Sequence, residues 1–319
     1  MRKLNEKIPN SFEISIGKKT NGEKMWQSFF RNPVVGVSYM FFDLGSPTYL
    51  GNAHLLYPFM NFSLTNAHRP VGLNFRLGAG VAHIEKVFDP VENYKNMAIS
   101  THLNAVFNIM LECRVRVFAP LHLLGGLAIT HTSNGTVRRP NSGLNYVTAF
   151  AGASYAFGNE RPLIPAAHSN ITIDKKWHYT VYLSGGVKRY IIYDDTLYGA
   201  LGLSFEASRA HLAFTRFSGA LELFYDASDY ASLVRNGIKT NKIQTVKTGF
   251  AAGYSFHFGA LSANAQLGTY LYAKNRNIGS LYQRYALNYS ATERINVRLG
   301  FKAHLGQVDY IEFAIGYRI

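Results

Sequence analysis

Residues 246–258 read VKTGFAAGYSFHF, and this stretch shows the pattern that decides the fold. Its even positions are mostly bulky and apolar, whereas its odd positions, such as Gly249 and Gly253, are small or polar. A period of two residues predicts a β-strand with two different faces. The stretch is longer than the usual strand of about five or six residues. It is long enough for the roughly 9–11 residues with which a tilted strand crosses a bilayer.

The same alternation recurs along the whole chain and predicts about fifteen strands. They lie near residues 10–17, 34–43, 48–63, 69–83, 98–117, 121–133, 144–157, 177–190, 195–208, 211–227, 245–258, 260–274, 279–291, 293–304 and 307–319. Polar insertions occupy residues 18–32 and 229–244. Closed single-chain barrels normally have an even number of strands. Either the count of strands is wrong by one or one strand is missing, and the simpler explanation is a further strand ahead of Asn10.

The composition agrees with a membrane barrel and excludes several other classes. Charged residues make up 16% of the 319, below the roughly 25% of an average soluble domain, while Tyr and Phe contribute 21 and 22 residues. Pro58, Gly125 and Gly126 interrupt the longest apolar runs, so no membrane helix is predicted. The single cysteine, Cys113, cannot form an internal disulfide.

We therefore predict an all-β chain that forms a transmembrane antiparallel barrel of about 14–16 strands. Residues 1–158 would form its first half, 159–176 a Pro-containing connection and 177–319 the second half, whose role is unassigned. Because the connection divides the chain almost evenly, two tandem eight-stranded barrels are the alternative. The single barrel is the simpler arrangement, because one closed sheet leaves no unpaired strand edge in lipid.

One hairpin departs from the simple alternation. His131 and Ser133 continue the apolar, lipid-type face of the strand at 121–133, and Asn145 belongs to the apolar face of the next strand. Polar residues at the rim of two neighbouring strands, directed toward lipid, have no use in a water-filled pore. They are suited to an enzyme whose substrate lies in the membrane.

These residue types can form a nucleophile, a base and a group that orients the base. Residues two apart on a strand share a face at about 6–7 Å between Cα atoms, so His131 could reach the Ser133 hydroxyl. Asn145 could hold the other imidazole nitrogen. On spacing alone, a polar hairpin rim without catalytic function explains the same residues.

The string HTSNG at 131–135, followed by PNSGLN at 140–145, resembles the signature of the PagL-type lipid A deacylases, which are grouped with outer-membrane acyloxyacyl hydrolases. Upstream, the stretch NYKNMAISTHLN at 93–104 resembles longer members of this group. The resemblance covers about residues 10–158, whereas the second half matches mainly in its barrel character.

The resemblance implies that Ser133 is the nucleophile and His131 the base. Backbone groups of Gly135 and Thr136 and the side-chain amide of Asn141 would bind the oxyanion, in a region that also includes Asn134. The best-known members have Glu where this chain has Asn145. An amide orients the imidazole but lacks the negative charge that stabilises its protonated form, so activity could be reduced or lost.

Two arginines in the same hairpin, Arg138 and Arg139, suit a lipid A phosphate, although cations at the rim of a barrel would also face any anionic headgroup. The net charge of +14 agrees with an anionic partner. The basic residues are scattered along the chain rather than clustered, so we expect no nucleic acid as a partner. The expected partners are lipopolysaccharide and the membrane. We expect no cofactor and no metal site.

The predicted function is hydrolysis of an ester-linked acyl chain of lipid A by an outer-membrane serine esterase of a Gram-negative bacterium. The alternative is a catalytically weak or inactive outer-membrane barrel with a structural or channel role, or a role in an envelope protein complex.

Overall fold

The computed structural model describes residues 6–65, 69–158, 173–275 and 279–319. Within these ranges the chain is almost entirely antiparallel β-structure, which confirms the predicted all-β class. The strands are β1 (Asn10–Lys19), β2 (Val34–Ser46), β3 (Gly51–Ser63), β4 (Val71–Ile84), β5 (Leu103–Phe118), β6 (Leu121–Ser133), β7 (Leu144–Tyr155), β8 (Trp177–Lys188), β9 (Tyr198–Leu212), β10 (Thr215–Asp226), β11 (Lys247–Phe258), β12 (Leu261–Tyr272), β13 (Leu281–Ser290), β14 (Ile295–His304) and β15 (Gln307–Arg318).

Two short helices lie in or beside the polar insertions. They are α1 (Met25–Phe29) and α2 (Ala227–Arg235). Asp226 caps the start of α2, because its carboxylate accepts a hydrogen bond from the Ser228 backbone amide. No helix in the described ranges is long and apolar enough to span a membrane.

The chain divides into two compact units. The first comprises Met1–Asn134 and Pro140–Ala167, and the second comprises Gly135–Arg139 and His168–Ile319. Most of the predicted connection, at residues 159–172, lies outside the described residues, as do residues 1–5.

The second unit contains a closed eight-stranded barrel formed by β8–β15. Neighbours in sequence pair antiparallel, and β15 returns to pair with β8 from Phe313 opposite Gly185 to Arg318 opposite Thr180. Of the two predicted arrangements, the alternative with tandem barrels agrees with this closure. Within the described ranges the strands form two separate sheets, because β15 pairs with β8.

Charged side chains fill the interior of this barrel. Arg284 lies between two carboxylates, with Nη1 2.6 Å from Glu222 Oε1 and Nε 2.9 Å from Glu312 Oε1. Arg298 binds Glu206 at 2.9 Å. All five side chains are buried. Opposite charges in contact offset much of the cost of removing each from water.

The first unit contains a seven-stranded antiparallel sheet in which β1 to β7 follow one another in order. Within the described residues, β1 and β7 each pair with only one neighbour and are the two edges of this sheet. Because the number of antiparallel strands is odd, these two edge strands run in the same direction.

Apolar side chains pack on the inner face of the first unit near one end of its strands. They include Phe42, Leu55, Ile84, Val106 and Leu144, all buried. Elsewhere on the inner face, Arg76 forms an ion pair with Glu13, with 2.6 Å between Nη2 and Oε1. The residues that follow β4 and precede β5, 85–102, pack on the apolar end through Ile99. The hairpin of β6 and β7 reaches the same end.

Candidate active site

The ladder between β6 and β7 sets His131 and Asn145 side by side. His131 pairs in register with Asn145, and two residues along the ladder Ile129 pairs with Val147. Ile129 and Val147 are on the outer face, where their side chains are 50% and 74% exposed. Because side chains two residues apart share a face, His131 and Asn145 lie on the outer face as well. Thr130 and Thr132 are buried on the inner face.

A side-chain hydrogen bond joins the two residues, with 2.7 Å between His131 Nδ1 and Asn145 Oδ1. An amide oxygen can only accept a hydrogen bond, so the proton of the neutral imidazole lies on Nδ1. The lone pair is then on Nε2, the nitrogen that a general base uses. Asn145 therefore fixes the ring and its tautomer without contributing a charge.

Ser133 is the last residue of β6 and lies two positions beyond His131, on the same face. It is only 6% exposed, although Ile129 on that face is half exposed. Asn141 lies beside it, and its Nδ2 donates to Ser133 Oγ at 2.9 Å. The Oδ1 of the same amide accepts a hydrogen bond from the Asn134 backbone N–H at 3.3 Å. One amide thus supplies a donor at the serine hydroxyl and is itself held in place.

Gly143 lies close to the imidazole ring of His131. It has φ = 73°, a left-handed conformation that favours glycine. A Cβ atom at this position would lie 3.0 Å from His131 Cε1 and 3.3 Å from the Thr132 carbonyl oxygen. A larger residue would therefore displace the ring.

Sequence reasoning missed the support that residues 85–102 give to this hairpin. The predicted strand at 98–117 begins only at Leu103, and the residues before it are irregular. Backbone bonds connect them to the hairpin, from Gly143 N to Ala98 O at 3.1 Å and from Ser142 N to Met97 O at 3.3 Å.

Side-chain amides organise the segment from within. Asn96 is fully buried, and its Nδ2 donates to the backbone oxygens of Tyr49 and Lys86 at 3.0 and 3.2 Å. Its Oδ1 accepts from the backbone amides of Ala98 and Ile99. A further bond runs from Asn134 Nδ2 to Ser100 Oγ at 3.1 Å. The signal in the sequence was the recurrence of Asn at 93 and 96.

The other four predicted site residues belong to the second unit; they are Gly135, Thr136, Arg138 and Arg139. Thr136 has φ = 62°, and its hydroxyl donates to the Asp309 carbonyl oxygen. Arg139 Nε donates to the backbone oxygen of Arg189 at 2.9 Å. Gly135 is buried, and Arg138 is exposed. Their roles as oxyanion donors and phosphate contacts stay predictions.

The arrangement in the first unit can carry out nucleophilic chemistry at an ester. It offers a hydroxyl, an imidazole with its lone pair on Nε2, and an amide donor beside the hydroxyl. Within the described residues no group of three or more His, Cys, Asp or Glu side chains could hold a metal ion.

Two family models match the chain. The model described as lipid A 3-O-deacylase (PagL) matches residues 10–154, and the model described as acyloxyacyl hydrolase, C-terminal domain, matches residues 177–319. No curated protein sequence matches the chain significantly.

Two solved structures illustrate how remote the structural similarities are. The FrpB iron transporter (F3-3 variant) of Neisseria meningitidis is 9% identical, with a TM-score of 0.21, over 98% of this chain and 63% of the transporter. The siderophore receptor PirA of Pseudomonas aeruginosa is 8% identical, with a TM-score of 0.20, over 97% of this chain and 62% of the receptor. The chain thus spans less than two thirds of these proteins, and TM-scores this low support no argument.

The two family models match non-overlapping segments that together cover most of the chain. The first contains the His131–Asn145 hairpin, and the second contains the closed barrel β8–β15. The chain therefore belongs to the PagL family of lipid A deacylases and acyloxyacyl hydrolases.

Proposed function

We propose that this chain is an outer-membrane serine esterase that removes an ester-linked acyl chain from lipid A in the lipopolysaccharide of a Gram-negative bacterium. The observation that carries the proposal is the hydrogen bond between His131 and Asn145 on the outer face of the sheet, beside Ser133. A site on that face meets a lipid substrate without removing it from the membrane. Family membership supports the same substrate class.

In the proposed mechanism, Ser133 Oγ attacks the carbonyl carbon of the ester while His131 Nε2 accepts the hydroxyl proton. Negative charge then develops on the carbonyl oxygen, and the side-chain amide of Asn141 can donate a hydrogen bond to it. The protonated imidazole returns its proton to the departing alkoxide, which leaves an acyl-enzyme. Water, deprotonated by His131, releases the fatty acid and restores Ser133.

Lipopolysaccharide incubated with the purified protein tests this proposal, with the lipid A products followed by mass spectrometry. The native protein should release one acyl chain, and Ser133→Ala should abolish the release. Ser142→Ala is the matched control, because Ser142 is exposed in the same hairpin and contributes only its backbone amide to Met97. Equal release by the native protein and Ser133→Ala would refute the assignment.

A catalytically weak or inactive barrel is the second candidate, and Asn145 favours it. This residue provides no negative charge to stabilise a protonated His131. The buried Arg284, Arg298 and Tyr282 side chains inside the second unit argue against a channel through that barrel. A protein that leaves lipid A unchanged but co-purifies with envelope proteins would support this candidate.

A further inference from the structure

A small cavity lies beside the segment that supports the hairpin. Its volume is about 210 Å³, and Tyr49 and residues 92–95 line it. Pockets for drug-sized ligands are typically about 300–1,000 Å³. The cavity is therefore of a size for one ring and its substituents rather than for an extended ligand.

Side-chain amides hold the walls of this cavity in place. Asn93 Nδ2 donates to the carbonyl oxygens of Tyr49 and Val87 at 3.0 and 2.7 Å. Asn96 Nδ2 donates to the same Tyr49 oxygen at 3.0 Å. The turn before β3 and the segment before β5 are thereby fixed to each other. Preformed walls lower the entropic cost of binding a ligand.

The lining combines a cation, two aromatic rings and a carboxylate. Lys95 Nζ lies 5.6 Å from the centroid of the Tyr49 ring and 5.9 Å from that of Tyr94. It also donates to the Tyr49 hydroxyl at 3.3 Å. Among the residues that the structure describes, Lys95 has no carboxylate within salt-bridge distance. Its charge is therefore held over the rings and is available to an incoming anion.

Each group matches one part of a phosphorylated sugar. The C–H groups of a sugar ring pack on an aromatic face, and the Tyr94 ring is 58% exposed. An ammonium group pairs with phosphate. The Glu92 carboxylate and the Tyr49 hydroxyl can form hydrogen bonds with sugar hydroxyl or amino groups.

Backbone hydrogen bonds connect the wall of the cavity to the hairpin of the proposed reaction site. The carbonyl oxygen of Lys95 accepts a hydrogen bond from Met97 N at 3.0 Å, and Met97 O accepts one from Ser142 N at 3.3 Å. Two hydrogen bonds thus connect the cavity wall to the hairpin that contains Ser133.

We propose that the cavity of Tyr49 and residues 92–95 is a subsite for the phosphorylated amino-sugar head of the lipid substrate. This inference rests on the proposed function, since it assigns the part of lipid A that is bound while an ester lies at Ser133. The subsite would bind the head equally in the ground and transition states and would thereby lower the KM for the lipid.

The first experiment measures binding without chemistry. Glucosamine 1-phosphate is titrated into the Ser133→Ala protein by calorimetry, with glucosamine and inorganic phosphate as separate arms. We expect the phosphorylated sugar to bind more tightly than either part. Lys95→Gln and Tyr94→Ala, each added to Ser133→Ala, should weaken it about tenfold, which corresponds to ~1.4 kcal/mol. Tyr94→Phe, which keeps the ring, and Lys239→Gln, an exposed lysine of the second unit, should leave binding unchanged.

The second experiment measures kinetics on lipopolysaccharide in detergent micelles. Lys95→Gln and Tyr94→Ala should raise KM about tenfold with kcat nearly unchanged, because the lost contact is made equally in the ground and transition states. If no form of the protein hydrolyses the substrate, the proposed function fails while the calorimetry still tests the subsite. The subsite is refuted if the Lys95→Gln and Tyr94→Ala variants bind glucosamine 1-phosphate as tightly as the Lys239→Gln variant does. It is also refuted if the Ser133→Ala protein with native Lys95 and Tyr94 binds glucosamine 1-phosphate no more tightly than inorganic phosphate.

Discussion

His131 and Asn145 face each other across the β6–β7 ladder, with 2.7 Å between the imidazole Nδ1 and the amide Oδ1. An enzyme with an acid at this position would hold the ring by the same kind of bond and would also stabilise the charge that the ring acquires. The amide preserves the geometry and removes the electrostatic contribution. Geometry and charge can therefore be separated experimentally at one position.

Replacing Asn145 by Glu should increase the rate of acyl release. Glu would keep the hydrogen bond to Nδ1 and add the negative charge that stabilises the protonated imidazole, so we expect kcat to rise by at least about tenfold. Mass spectrometry of lipid A over time measures the rate. Asn236→Glu, an exposed asparagine at the end of α2, is the control for an added negative charge. A fall in rate specific to Asn145→Glu would contradict the role given to this residue.

Gly143→Ala should reduce activity by displacing the base. The added Cβ would lie 3.0 Å from His131 Cε1, and the left-handed backbone adds strain of about 1–2 kcal/mol. Gly158→Ala is a matched control, because Gly158 has a similar φ of 78° and its added Cβ meets nothing within 4 Å. Both variants have the strain of a left-handed backbone conformation, but only Gly143→Ala should lose activity, by at least about tenfold. Equal activity in the two variants would show that the close approach to His131 is unimportant.

Asn96→Ala should loosen the segment 85–102 and lower activity. Its removal leaves the Lys86 carbonyl and the Ala98 and Ile99 amides without their side-chain partner, and each buried unsatisfied group costs about 1–3 kcal/mol. Limited proteolysis should then cut within 85–102, where the native protein resists. Asn236→Ala serves as the exposed control. Resistance equal to that of the native protein would mean that the segment is held by other contacts.

Arg284→Met should destabilise the second unit. It leaves Glu222 and Glu312 buried without their shared cation, and breaking a buried ion pair typically costs about 3–5 kcal/mol. The temperature at which the folded band converts to the unfolded band on SDS gels should fall. Arg235→Met, at an exposed arginine in the last turn of α2, should shift this temperature little. An unchanged temperature for Arg284→Met would show that the two carboxylates find other partners.

Most strand positions could be predicted from the sequence, because bulky and small residues alternate locally along each strand. The strand at 121–133 agrees at both ends, and the one at 177–190 ends two residues later than β8. The closure of the second unit could not be predicted in the same way. It depends on pairing between β15 and β8, more than a hundred residues apart, and alternation within a strand does not specify its neighbours.

The site was predictable where one strand or one hairpin sets the geometry. His131, Ser133 and Asn145 share a face because of strand periodicity and hairpin register alone. The contribution of Asn96 and Ser100 was not predictable, because it depends on how an irregular segment folds back on the hairpin. Ala98 and Ile99 suggested a longer strand, whereas their backbone amides bind the Asn96 side chain. Local hydrogen bonds from asparagine compete with strand formation in this way.

The register of the β6–β7 hairpin has a consequence for how activity can change during evolution. Position 145 is an exposed ladder position, so its side chain can change while every main-chain hydrogen bond of the hairpin persists. One substitution there alters the electrostatics of the base and leaves the backbone pairing of the hairpin intact. The proposed esterase rate can therefore change through a single codon while the register of the hairpin is kept.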